Sequence, residues 1–326
     1  MPTVRRRERT GSAAFEPRYR TMLATGELAY RAERLEALYA CCELCPRKCR
    51  IDRRSDLGAC RTPAVPVVAS WGPHMGEEPP LSGSRGSGTI FLANCNLTCA
   101  YCQNADVSQS PGAWAGDATT AMDVARIMLE LQACGCHNVN WVSPTHQVPA
   151  LVRALTLAAG DGLVLPVVYN SNGYDAPEAL RLLDGVIDIY MPDLKYAAAR
   201  TGSALSGVPD YPAAARAAIA EMFRQVGAAW EIAPDGTLRR GLLVRQLVLP
   251  DELSGTSESL LWLAEELSPD IAVSLMCQYR PHHRATQLAG YPGLRRTVSR
   301  DEWKAALSAL ARSNRSRHTL VQQYRG

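Results

Sequence analysis

After residue 86, short runs of β-branched and apolar residues alternate with stretches in which apolar positions recur every three or four residues. The first kind predicts strands and the second amphipathic helices. Strands are expected at Gly88–Ala93, Asn138–Val142, Val164–Tyr169, Val186–Met191, Gly241–Val248 and Ile271–Met276. Between them, Thr119 and Thr120 can cap a helix carrying Ala125, Met128, Leu129 and Leu131 on one face. Further helices are expected over Val148–Ala159, Ala176–Leu183, Ala213–Val226 and Thr256–Glu266. A βα unit repeated six times implies an α/β fold with a parallel sheet and crossover helices. The expected form is a partial (β/α)6 barrel, with a doubly wound open sheet as the alternative.

The flanks differ from this core. Leu28, Ala32, Leu35 and Leu38 keep helical spacing and lead into a cysteine-rich stretch, so residues 1–86 are expected to form a helical, metal-binding segment. The barrel is expected over 87–300, and a helix and tail over 301–326. Residues 228–240 interrupt the repeat. Trp230-Glu-Ile, an Asp235-Gly236 turn and Thr237-Leu predict a small hairpin, either a surface decoration or a lid.

Charge and composition narrow the classes. The formal net charge of +3 gives no reason to expect nucleic acid or an acidic membrane as partner. The Arg5-Arg6-Arg7 run reads as a solvated tail. Arg153 and Asp161 interrupt the most hydrophobic region, so no membrane span is expected. No secretory signal pattern opens the chain. Eleven cysteines in that setting point to metal binding in a reducing cytoplasm, not to disulfides.

All six strands end in hydrogen-bonding groups. These include Ser143-Pro-Thr-His146, Asn170-Ser-Asn-Gly173, Pro192-Asp-Leu-Lys195, Arg245 and Gln246 within the fifth strand, and Cys277-Gln-Tyr-Arg280. In a βα barrel the loops after the strands surround the active-site mouth. The loop after the first strand is Cys95-Asn-Leu-Thr-Cys99-Ala-Tyr-Cys102. Three thiolates on one tight loop suit three irons of a cubane and leave the fourth iron without a protein ligand. Structural zinc normally closes with four ligands, and the nearest histidines, His74 and His137, are far along the chain. The cluster is therefore the expected occupant. A second group, Cys42, Cys45, Cys49 and Cys60, offers four thiolates with short gaps, which suits structural zinc or a second iron–sulfur cluster. Cys134, Cys136 and Cys277 are read as unligated.

The cysteine triplet, with Tyr101 before its last member, resembles the signature of the radical S-adenosylmethionine superfamily. Within it the chain is similar to the uncharacterised group described as pyruvate formate-lyase activating enzyme-like. The resemblance runs through Cys42-Glu-Leu-Cys-Pro-Arg-Lys-Cys49, Gly76-Glu-Glu-Pro-Pro-Leu-Ser-Gly83, Gly86-Ser-Gly-Thr-Ile-Phe91, Cys95 to Asn104 and Val142-Ser-Pro-Thr-His146. It continues in Tyr169-Asn-Ser-Asn-Gly-Tyr174, Tyr190-Met-Pro-Asp-Leu-Lys-Tyr196 and Gln278-Tyr279. It implies a radical-SAM type barrel and a [4Fe–4S] cluster on Cys95, Cys99 and Cys102, completed by S-adenosylmethionine. It also implies reductive cleavage of that cofactor to a 5′-deoxyadenosyl radical, and an electron donor such as a flavodoxin or ferredoxin. The group's description adds a glycyl-radical enzyme as partner. A small-molecule or peptide substrate and a non-enzymatic electron-transfer role remain the alternatives. Asp193 and Lys195 alternate to one side of the chain and suit a zwitterionic methionine head group, although an ordinary salt bridge fits them equally. Ser143, Thr145, His146 and Asn170 are candidates for the head group or ribose, and Tyr101 and Arg245 complete the expected cofactor-binding set. Ser143-Pro-Thr-His146 stands where many superfamily members carry Gly-Gly-Glu, and Gln246 stands where the group is expected to have His.

Overall fold

A computed structural model describes residues 15–110 and 119–324 of the chain. The Arg5–Arg7 run lies outside the described residues. The strands in chain order are β1 (Val68–His74), β2 (Ser87–Leu92), β3 (Val139–Val142), β4 (Val167–Ser171), β5 (Ile189–Pro192), β6 (Glu231–Ile232), β7 (Leu238–Leu247), β8 (Ala272–Met276) and β9 (Leu320–Val321). They form one mixed sheet in the order β1-β2-β3-β4-β5-β7-β8-β9, with β6 paired to β7. β1 and β6 run antiparallel to their neighbours, and every other pair is parallel. The architecture is α/β with an open, mostly parallel sheet that does not close on itself.

All residues of β4 and β5 are buried, as strands covered on both faces must be. Helices Ala121–Ala133 and Val148–Gly160 pack together on the sheet, and Glu27–Ala37 lies against the second of them. The first begins with the expected capping box, in which Thr120 accepts from the Asp123 N–H and Asp123 accepts in return from the Thr120 N–H. A bidentate pair between Arg153 and Glu36, at 3.0 and 2.6 Å, joins the N-terminal helix to the core.

The ladders begin later than the apolar runs suggest, for identifiable reasons. Pro166 has no N–H to offer, and the Val164 N–H is taken by the Gln132 side chain at 2.7 Å, so β4 starts at Val167. Val186 and Ile187 both donate to the Leu183 carbonyl and finish a helical turn, which moves the start of β5 to Ile189. The sheet also reaches beyond the six expected strands. β1 joins it from before residue 87, and β9 joins it from beyond residue 301. The hairpin expected over 228–240 is present as β6 and the start of β7. Among the described residues no helix is long and apolar enough to cross a membrane.

Candidate active site

Register places Phe91, Val142, Asn170 and Met191 in one row across β2 to β5. The residues that follow this row therefore emerge together at one edge, with the cysteine loop at one end and Pro192-Asp193 at the other. Asn94 turns the chain out of β2 in a left-handed conformation (φ 66°), which asparagine tolerates better than most residues. The loop is then clamped to the end of helix Ala199–Ser206. Ala100 N–H donates to Leu205 O at 2.7 Å, and Thr98 N–H to Ser206 O at 3.3 Å.

Each loop sulfur has a polar partner. Cys95 Sγ accepts from the Leu97 N–H at 3.4 Å and from Asn172 Nδ2 at 3.3 Å. Cys99 Sγ lies 3.0 Å from Ser206 Oγ, and Cys102 Sγ 3.2 Å from Ser108 Oγ. A thiolate cannot donate, so in the ligating form both hydroxyls must donate to sulfur. With the thiols free, burial and then the neighbouring Cys99 charge push Cys95 up to about 12. A metal cluster would supply the positive charge that reverses this. Tyr101 is buried beneath the loop, where a hydroxyl chain runs from Tyr101 to Tyr196 (2.7 Å), to Ser206 (2.7 Å) and so to Cys99.

Across the mouth, Lys195 Nζ meets Asp193 Oδ2 at 2.6 Å. Burial alone would depress the Lys195 ammonium, but the Asp193 carboxylate and then the Cys99 sulfur hold it well above its usual range. Gly173, in the turn after β4, packs directly against Asp193. Its φ of +78° favours glycine, and an added Cβ would collide with the Asp193 carbonyl oxygen. Tyr211 Oη, 2.8 Å from Asn172 O and 2.9 Å from Asp193 O, ties the two loops together.

Arg245 stands beside Asp193 at the bridge between β5 and β7. Its guanidinium holds Glu78 with two bonds (2.7 and 2.6 Å), Glu77 at 2.5 Å and Asn170 Oδ1 at 3.3 Å. Burial works against the Glu78 charge, but Arg245 outweighs it and holds the carboxyl below its usual range. A cleft of about 320 Å³ opens here, lined by Glu77, Glu78, Arg245, Ser274, Met276 and Gln278. Glu77 and Glu78 were not expected as site residues. They belong to the Gly76–Gly83 stretch, noted in the sequence only for its resemblance, and the antiparallel connection from β1 to β2 carries them to the mouth.

The remaining expected residues divide. Ser143 leaves β3 in a left-handed conformation (φ 56°) at the mouth, its N–H bonded to Asn170 O at 2.8 Å. Thr145 is turned inward, and its hydroxyl donates at 2.6 Å to the buried Asp175. Asp175 also accepts from Tyr169 (2.8 Å) and Ser171 (2.7 Å), while burial holds its carboxyl above the usual range. His146 is buried with Nε2 2.9 Å from Ala93 O, and burial lowers its ring to about 4. It is neutral, and it braces the start of the cysteine loop.

At the N-terminal group, Cys42, Cys45 and Cys60 are buried, and Cys49 Sγ faces the Ala59 N–H at 3.5 Å. Burial pushes the Cys45 thiol up to about 12. Among the described residues no three His, Cys, Asp or Glu side chains converge as one bound ion requires. The donor types at the mouth suit a multi-iron cluster: three cysteines on one loop, a hydrogen-bond partner at each sulfur and a lysine alongside.

No family model matches the chain. The chain is similar to the uncharacterized protein MJ0674 of Methanocaldococcus jannaschii, 27% identical over 297 residues that cover 88% of this chain and 79% of that protein.

Proposed function

We propose that the protein is a radical S-adenosylmethionine enzyme whose open parallel sheet forms a partial (β/α)6 barrel. The observation that carries this reading is the cysteine loop at the C-terminal edge of β2. Each of its three thiols has a partner that can donate to sulfur, 3.0 to 3.4 Å away. Cys95, Cys99 and Cys102 would hold a [4Fe–4S] cluster. Asp193 and Lys195 would take the ammonium and carboxylate of the cofactor's methionine moiety. When bound, S-adenosylmethionine at a reduced cubane supplies a carbon-centred radical able to abstract hydrogen. The protein's own part is to bind, orient and exclude water.

Specific tasks follow from the geometry. Toward ionised, ligating sulfurs Asn172 and Ser206 would both donate and lower the electron density there. Burial raises the Cys99 thiol, and the positive charge of Lys195 beside it opposes that rise. His146 stays neutral and holds Ala93, so the loop leaves β2 in a fixed direction.

The test is anaerobic reconstitution with iron and sulfide, followed by reduction with dithionite and addition of S-adenosylmethionine. Release of 5′-deoxyadenosine and methionine is expected, with loss of both iron and product in the Cys95/Cys99/Cys102 triple alanine variant. A fully loaded, fully reduced protein that releases no deoxyadenosine with or without candidate substrates would overturn the proposal. Activation of a glycyl-radical enzyme requires a protein-based radical signal on that partner. A small-molecule or peptide substrate requires deoxyadenosine formation without one.

A further inference from the structure

The run that follows β8, Arg280-Pro-His-His-Arg284, is laid along the cysteine loop, and the proposed chemistry does not account for its charge. Arg284 N–H donates to Ala100 O at 2.8 Å, and Arg284 Nη2 donates to Thr98 O (3.0 Å) and Gln109 Oε1 (3.2 Å). Gln103 Nε2 donates in return to Arg280 O at 3.4 Å. The last Arg284 bond, from Nε, goes to His283 Nε2 at 3.1 Å. Burial and then the Arg284 charge hold the His283 ring below its usual range, so it accepts as a neutral group. Every side-chain partner of Arg284 is therefore uncharged, and its positive charge is not neutralised.

This run lies where the loop comes to the surface. Cys102 is half-buried, Gln103 and Asn104 after it are exposed, and so are Arg280, His282, His283 and Arg284. From the N-terminal segment, Arg61 Nη2 donates to Ser108 O at 3.1 Å, and Ser108 Oγ lies 3.2 Å from Cys102 Sγ. Among the described residues no carboxylate pairs with Arg61, Arg280 or Arg284. The loop's own carboxylate is Asp106, also exposed. Three guanidinium groups thus stand against one carboxylate at the Cys102 end. The mouth, by contrast, holds its charges paired, Lys195 with Asp193 and Arg245 with Glu77 and Glu78. A face of unpaired cations is complementary to an acidic protein surface, and it steers such a partner toward what lies beneath it. Beneath it here is the Cys102 sulfur.

We propose that the face made by Arg280, Arg284 and Arg61 around Gln103 and Asn104 docks an acidic one-electron carrier protein, so that electrons enter the loop beside Cys102. The inference rests on the cluster reading of that loop. The transfer is a pure electron step. The carrier is oxidised by one electron, the loop's cluster is reduced by the same electron, and no bond forms or breaks. Arg280 and Arg284 steer and orient the carrier and touch no reacting atom.

The test titrates the full chain, with and without anaerobic reconstitution, with an oxidised flavodoxin of strongly acidic surface at low salt. The Arg280 side chain makes no hydrogen bond among the described residues, so replacing it leaves the loop's contacts in place. Arg280→Glu should weaken binding about ten-fold, Arg280→Lys should bind like the parent, and Asp106→Asn should bind more tightly. Added salt should weaken the parent's binding. No binding at low salt, or an affinity indifferent to salt and to Arg280→Glu, overturns the proposal. Tighter binding of a random-sequence DNA duplex at the same salt also overturns it and assigns the face to nucleic acid. In the reconstituted chain, stopped-flow reduction by the flavodoxin hydroquinone should slow about ten-fold in Arg280→Glu. Reduction by the methyl viologen radical cation, which needs no docking, should not slow. An unchanged rate with flavodoxin, or equal slowing with both donors, overturns the electron-entry role. A chain that docks the flavodoxin but takes up no iron would instead fault the cluster reading and leave the docking face standing.

Discussion

Replacing Arg245 by methionine isolates the electrostatics of the mouth. The side chain is 18% exposed and neutralises two carboxylates, Glu77 and Glu78, whose side chains are each only 8% exposed. Methionine keeps much of the volume but removes the charge and every hydrogen bond to Glu77, Glu78 and Asn170. Removing one partner of a buried ion pair costs about 3–5 kcal/mol, because the remaining charge is left desolvated. Here two like charges remain together, which places the expected loss at the upper part of that range. The deficit should depend on pH. In the parent, Arg245 holds the Glu78 carboxyl down. In the variant, burial and the Glu77 charge push it up, so one carboxylate takes a proton as pH falls and the loss shrinks. Equilibrium urea unfolding at pH 7.5 and pH 5 reads both effects, and Glu78→Gln in the same chain should restore part of the stability at pH 7.5. A variant within about 1 kcal/mol of the parent at pH 7.5, or a deficit identical at both pH values, would refute the reasoning.

Three further outcomes are expected. Burial raises the Asp188 carboxyl to about 7, so the folded chain keeps a proton that the unfolded chain loses near its ordinary value. The stability this contributes is complete below about pH 4 and is lost as pH rises through about 7, a change on the order of 4 kcal/mol, and Asp188→Asn should flatten that part of the urea-midpoint profile. Gly173→Ala forces a side chain into a left-handed turn against the Asp193 carbonyl and should cost more than about 1–2 kcal/mol in thermal or urea unfolding. Lys195→Ala should weaken S-adenosylmethionine binding roughly ten- to a hundred-fold in a titration while the iron content stays unchanged.

The alternation of apolar runs was enough to place the six expected strands, because each has a mostly buried stretch of apolar residues, with β4 and β5 buried throughout. It could not show β1. That strand reads Val-Ala-Ser-Trp-Gly-Pro-His, is half exposed and contains both breakers. Nor could it show β9, a two-residue strand held by partners 46 positions away. The place of the cysteine loop at the end of β2 was readable because all three cysteines lie within eight residues directly after that strand. Thr145 and His146 were not readable in the same way. A polar residue after a strand looks alike in sequence whether it faces the mouth or a buried acceptor. Only the three-dimensional position of Asp175 and of the Ala93 carbonyl decides between them.

The Asp175 carboxyl accepts from Thr145, Tyr169 and Ser171, hydroxyls drawn from the loop after β3 and from β4. Four positions spread over thirty residues therefore share one buried acceptor, and their fates under mutation are joined. Losing one hydroxyl leaves a carboxyl with two donors, while losing the carboxyl strands three hydroxyls at once. Substitutions within this set should combine non-additively. A chain drifting over generations would cross from one solution to another only by changing several of the four together.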